Sequence, residues 1–182
     1  GLAARQRGPA ILAPSTLDSP DPGEADDPAS RTDWREFTRT VIEELGSFRP
    51  AVRVGWSHHN YRDIKRGVRA EESRASQVLP LARAWPGWDG RLWLTEGGVN
   101  LYPDQGDAGA GRDAARLIAE NFDQMRRLAG VVLWTQHAIH DLPDNPFKSG
   151  LYGDFRVGAD PRPGDPRPTL EVYADLPGAA RR

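Results

Sequence analysis

The chain has 182 residues, 27% of them charged and 38% hydrophobic, with a net charge of -2, which fits one ordinary globular domain. Its cations and anions are interspersed, so no basic stripe points to nucleic acid, and no apolar run approaches the roughly 18 residues needed to cross a membrane. The absence of cysteine excludes a disulfide frame and any thiolate metal site, and leaves the compartment open.

Pro9-Ala-Ile-Leu-Ala13 reads as a short buried strand, followed by a polar, proline-rich loop from Ser19 to Pro28. Thr32 or Asp33 caps a helix running to about Ser47, with Trp34, Phe37, Val41, Ile42 and Leu45 at spacings of three and four. Ala51 to Trp56 reads as a second strand. A helix of weaker pattern spans about Glu71 to Ala84, and Pro86-Gly87 breaks it. Arg91 to Thr95 makes a third strand, and a loop, Leu101 to Gly106, follows it.

A helix from about Arg112 to Leu128 carries Leu117, Ile118, Phe122, Met125 and Leu128 on one face, and Gly130 closes it. Val131 to Thr135 is a fourth strand. The rest is loop-rich, with prolines from Pro161 to Pro168 and a short helix from Leu170 to Asp175. Alternating units of this size predict a parallel sheet with outer helices and right-handed crossovers. Four such units make either a small doubly wound sheet or half of a (β/α)8 barrel, because a whole barrel takes about 250 residues. The start at Gly1, the single internal Met125 and the almost immediate apolar strand lead us to expect a partial chain, with a processed terminus as the alternative.

Polar and aromatic residues gather after each strand: Ser15, Thr16 and Asp18; then Ser57, His58, His59, Asn60, Tyr61 and Asp63; then Thr95 and Glu96; then Gln136, His137, His140 and Asp141. All four histidines lie in these stretches. In parallel α/β folds the carboxyl ends of the strands form the ligand-binding face. Alternation along a strand sends His58 and His59 to opposite faces, so His59, which shares a face with Tyr61, is the better candidate for a pocket. The His-His pair lacks a following carboxylate at metal-ligand spacing, and we expect neither metal nor cofactor. Asp18, Asp33 and Asp63 read as helix caps or loop ion pairs. Without a Gly-x-Ser-x-Gly turn, Ser15, Ser57 and Thr95 do not suggest a hydroxyl nucleophile.

Trp93-Leu-Thr-Glu-Gly-Gly98 resembles the end of the seventh strand of retaining glycoside hydrolases built on (β/α)8 barrels, the large clan called A. His58-His-Asn-Tyr61 is similar to that clan's sixth strand, and Val132-Leu-Trp134 to its eighth. The resemblance spans about Pro9 to Asp175. It implies that the chain, as one domain over residues 1–182, is the C-terminal half of a (β/α)8 TIM barrel, strands five to eight. It implies that Glu96 is the nucleophile acting on a carbohydrate, that His58, His59 and Tyr61 contact substrate, and that Trp134 is a sugar platform; Gln136 and His137, in the polar stretch after the fourth strand, are expected to contact substrate as well. The clan's acid/base motif, Asn-Glu-Pro at the end of strand four, does not occur in this sequence and is expected upstream of Gly1. The competing reading is a barrel-derived protein without catalysis that binds a glycan or acts as a scaffold.

Overall fold

A computed structural model describes residues 11–12, 33–101, 107–154, 156, 158 and 162–178. Its elements run β1 (Ile11–Leu12), α1 (Trp34–Leu45), β2 (Val54–His59), α2 (Tyr61–Arg66), α3 (Arg74–Arg83), β3 (Trp88–Glu96), α4 (Asp107–Met125), β4 (Val131–Trp134), β5 (His140–Asp141), β6 (Tyr152–Asp154) and α5 (Pro168–Asp175). The stretch from Ser19 to Pro28, together with Ser15, Thr16 and Asp18, lies outside the described residues. Among the described residues no helix is long and apolar enough to cross a membrane.

α1 and α3 start where a short polar side chain can satisfy free backbone N–H groups. Asp33 accepts from the backbone of Arg35 (2.8 Å) and Glu36 (3.2 Å), and Gly46, with φ of 50°, stops α1. α3 has two caps: Ser73 accepts from Ser76 N at 3.0 Å, and the buried Asp63 carboxylate takes Arg74 N at 2.8 Å and Ala75 N at 3.1 Å. α2 was not foreseen, because one and a half turns carry too few residues for a periodic signal. It begins directly after β2 and ends at Gly67, which is left-handed with φ of 57°.

The four long-range strands form one parallel sheet in the order β1-β2-β3-β4, without reversal. Sequential order with right-handed crossovers places successive helices on one face, and α1 accordingly packs on α3. Val54 and Trp56 from β2 and Leu92 and Leu94 from β3 meet Trp34, Val78 and Met125 in the core between sheet and helices. The opposite face is different in character. Trp93 lies over Gly55 and leaves no room there for a side chain, and Ser57 Oγ and Thr95 Oγ1 hydrogen-bond at 2.6 Å. A second sheet, the parallel pair β5-β6, holds the chain that follows β4 and had no counterpart in the sequence reading.

Candidate functional site

The sheet register decides which strand-end residues can meet. His58 pairs with Leu94, and Leu94 pairs with Trp134. Residues side by side on neighbouring strands share a face, and Leu94 is a core residue on the helical side. Both neighbours therefore turn to the helices. His58 is completely buried, with its ring 6.1 Å from that of Trp34. The Trp134 indole N–H donates to Asn121 Oδ1 on α4 at 2.9 Å, and its ring sits 5.9 Å from Phe122 and 6.1 Å from Tyr173. His58 is thus turned away from Glu96, and Trp134 packs on the helical side of the sheet, not beneath Glu96.

Glu96 follows a different course. Counted by alternation from Leu94, it too should face the helices. A register shift between His58 and His59 sets an extra β3 residue, Thr95, into the pairing, so that His59 pairs with Glu96. The bulge brings both Thr95 and Glu96 to the face that carries Ser57 and His59, since Thr95 bonds Ser57 and Glu96 meets His59. Re-aiming a side chain is a common consequence of a bulge.

At the carboxyl end of β3 the Tyr61 hydroxyl donates to Glu96 Oε2 at 3.0 Å, and His59 Nδ1 stands 3.3 Å from the same oxygen. Oε1 has no hydrogen-bond partner among the described residues, and the Glu96 side chain is 39% exposed. One carboxylate oxygen is thus held while the other is presented. Burial first, and then the charge and hydrogen bond of Glu96, hold the Tyr61 hydroxyl far above the ordinary phenol range. Tyr61 therefore remains a donor to the carboxylate at any physiological pH.

Three rings close one side of this pair. Tyr61, His137 and Phe147 lie with centroids 5.3 to 5.8 Å apart, and their planes cross at 69° to 89°. His137 is exposed, and its Nδ1 lies 3.2 Å from Ser149 Oγ. Gln136 donates through Nε2 to the Ser149 carbonyl, and a Cβ at Gly98 would stand 2.9 Å from that nitrogen, which makes Gln136 a strut between loops. Phe147 and Ser149 were missed by sequence reasoning. The only signal was an aromatic residue inside a proline-punctuated loop, and such residues usually just pack.

The two glycines behind Glu96 also have a reason. A side chain at Gly97 would come within 2.6 Å of Asn60 Oδ1 and 2.9 Å of Ile64 Cδ1, and Gly98 has φ of 154° with Ser149 and Gln136 against it. They admit the neighbouring side chains Asn60, Ile64, Gln136 and Ser149. The other candidate carboxylates are committed: Asp33 and Asp63 cap helices, and Asp141 is paired with Arg167 at 2.5 Å. Among the described residues no group of three His, Asp or Glu side chains is placed to hold a metal ion. Comparison with models of protein families, with curated proteins and with solved structures finds no match to this chain.

Proposed function

We propose that the chain is the strand-five-to-eight half of a (β/α)8 barrel glycoside hydrolase that works by a retaining mechanism, with Glu96 as nucleophile. The observation that carries this reading is the Glu96 carboxylate itself. It stands at the carboxyl end of an inner strand of a parallel sheet, with Oε2 held by Tyr61, His59 Nδ1 3.3 Å from it, and Oε1 open. Strand order without reversal supports a barrel half over a doubly wound sheet, whose order reverses at a switch point.

In this mechanism Glu96 Oε1 attacks the anomeric carbon. The glycosidic bond breaks, and the leaving oxygen takes a proton from a second carboxyl. Water, deprotonated by that same carboxyl, then releases the sugar from its ester with Glu96. Tyr61 holds Oε2, with His59 beside it, and so fixes the direction in which Oε1 points. The second carboxyl lies about 5 to 5.5 Å from the nucleophile in retaining enzymes. The family resembled carries it on an Asn-Glu-Pro motif, which this sequence lacks, so this reading expects it upstream of Gly1, at the end of strand four. His137, with its ring beside Tyr61, would contact the sugar at the mouth.

The test uses the full-length protein and a panel of activated 2-deoxy-2-fluoro glycosides, whose intermediates hydrolyse slowly. Mass spectrometry of peptides should find the fluorosugar ester on Glu96. On any glycoside the protein cleaves, Glu96→Gln should lower kcat by several orders of magnitude without loss of fold, because the amide cannot form the ester. Glycan binding without an ester or turnover across the panel would move the assignment to a non-catalytic glycan-binding barrel. Near-normal hydrolysis by Glu96→Gln would make the carboxylate a bystander.

A further inference from the structure

From the three-ring cluster beside Glu96 we infer that Phe147 is a positioning residue of the site, acting through Tyr61. Tyr61 is the first residue of α2, a helix of only six residues, and its hydroxyl must stay within hydrogen-bond reach of Glu96 Oε2. A phenol on so short an element has several rotamers open to it unless its ring is packed on more than one side. Phe147 stands nearly perpendicular to it, at 89° with centroids 5.3 Å apart. His137 closes the triangle, 5.8 Å from Tyr61 and 5.5 Å from Phe147. Edge-to-face pairs of this kind stabilise a ring beyond its burial, and two on one ring favour one rotamer by roughly tenfold.

The loop that carries Phe147 is itself tied down, so it can serve as a fixed wall. Phe147 N donates to Asn145 Oδ1 at 2.9 Å. The next residue binds the chain leaving Glu96 from both sides: Lys148 N donates to Asn100 Oδ1 at 2.8 Å, and Leu101 N donates to Lys148 O at 2.7 Å. The Lys148 ammonium, mostly buried, bonds Asp154 at 2.6 Å and the carbonyls of Leu142 and Pro143. The strand-three loop that presents Glu96 and the strand-four loop that seats Tyr61 are therefore one clasped unit. Loosening Phe147 frees the donor without removing either partner of the hydrogen bond.

The catalytic meaning of this arrangement rests on the proposed role of Glu96, but its test does not. Tyr61 can be followed without substrate by the NMR signal of 13Cζ-labelled tyrosine, assigned with Tyr61→Phe. In the unaltered protein the Tyr61 signal should stay that of a neutral phenol while ordinary tyrosines ionise. In Phe147→Ala and Phe147→Leu its ionisation should begin about one pH unit or more lower, because water reaches the ring and the bond to Glu96 is lost part of the time. Phe147→Tyr, which keeps the ring, should restore the unaltered behaviour. A merely structural role would lower the melting temperature in all variants and leave the Tyr61 titration in place. Unchanged titration in Phe147→Ala and Phe147→Leu, or loss of the fold in both, would overturn the inference. Failure of Glu96 to form a glycosyl ester would leave this result standing and remove only its bearing on catalysis.

Discussion

Tyr61 is the residue on which the site turns, and its chemistry is testable apart from any substrate. Its hydroxyl is held far above the ordinary phenol range, mainly by burial and secondly by Glu96. The folded state therefore keeps this proton at pH values where the unfolded chain, with phenols near about 10, gives it up. Above that pH the native state binds more protons than the unfolded one, so stability falls as pH rises. Below it Tyr61 is neutral in both states and the contribution is constant. Tyr61→Phe has no proton to lose, and its melting temperature should fall less steeply above about pH 10 than that of the unaltered protein. Equal slopes would show that the phenol ionises freely in the folded protein. Gly97 offers a second check at this scale. Its backbone carbonyl accepts from His137 N at 2.8 Å, and Asn60 and Ile64 fill the space where a side chain would stand. Gly97→Ala should cost on the order of 1 to 3 kcal/mol in chemical denaturation, by forcing those neighbours apart. A cost below about half a kcal/mol would mean that Asn60 swings away freely.

Elements with an apolar pattern were legible in the sequence, the short β1, β4 and α5 among them, whereas α2, the bulge in β3 and the β5-β6 pair were not. α1 and α4 announced themselves through apolar residues at helical spacing, and Asp33 caps α1 as its position suggested. β2 runs from Val54 to His59 rather than from Ala51 to Trp56, because sheet pairing recruits Ser57, His58 and His59, which have no strand-like alternation of polarity. The Tyr61–Glu96–His59 convergence was foreseen from polar groups gathering after the strands, whereas the fates of His58 and Trp134 depended on a register that periodicity alone does not fix. A bulge shifts every later side chain by one place, and nothing in Leu-Thr-Glu-Gly marks one. The small β5-β6 sheet was invisible for another reason: its stability lies in a buried ion pair. Asp141 accepts from Gly150 N at 2.7 Å and pairs with Arg167 at 2.5 Å, with its side chain 1% exposed. Asp141→Ala leaves the Arg167 guanidinium without that partner and should cost on the order of 3 kcal/mol. For a domain of this size that is a fall in melting temperature of roughly 6 to 12 °C, read by calorimetry. Because this pair anchors the chain flanking Phe147, the same variant should also loosen the clasp over Tyr61.

At the scale of the whole molecule, the sheet formed by the described residues has two ends. Among those residues β1 and β4 each pair on one side only, so a row of backbone N–H and C=O groups along the other side has no strand partner there. The β4 edge is also apolar. Val132 is 49% exposed, and a cavity of about 320 Å³ opens beside it between Phe122, Met125, Trp134, Tyr173 and Leu176. In a barrel each of these edges would be covered by another strand. In the isolated 182-residue chain they are left to find partners elsewhere, and parallel pairing to a second copy satisfies the same groups. The chain should therefore self-associate, with its apparent mass in analytical ultracentrifugation rising with concentration. Val132→Lys places a charge on the exposed edge, where a partner strand would have to bury it, and should shift the distribution toward monomer. The substitution lies outside the core, so the melting temperature should change little. A monodisperse monomer at every concentration, melting in one cooperative transition, would mean that the edges are protected within the chain and would count against the half-barrel. Association unchanged by Val132→Lys would locate the contact away from β4.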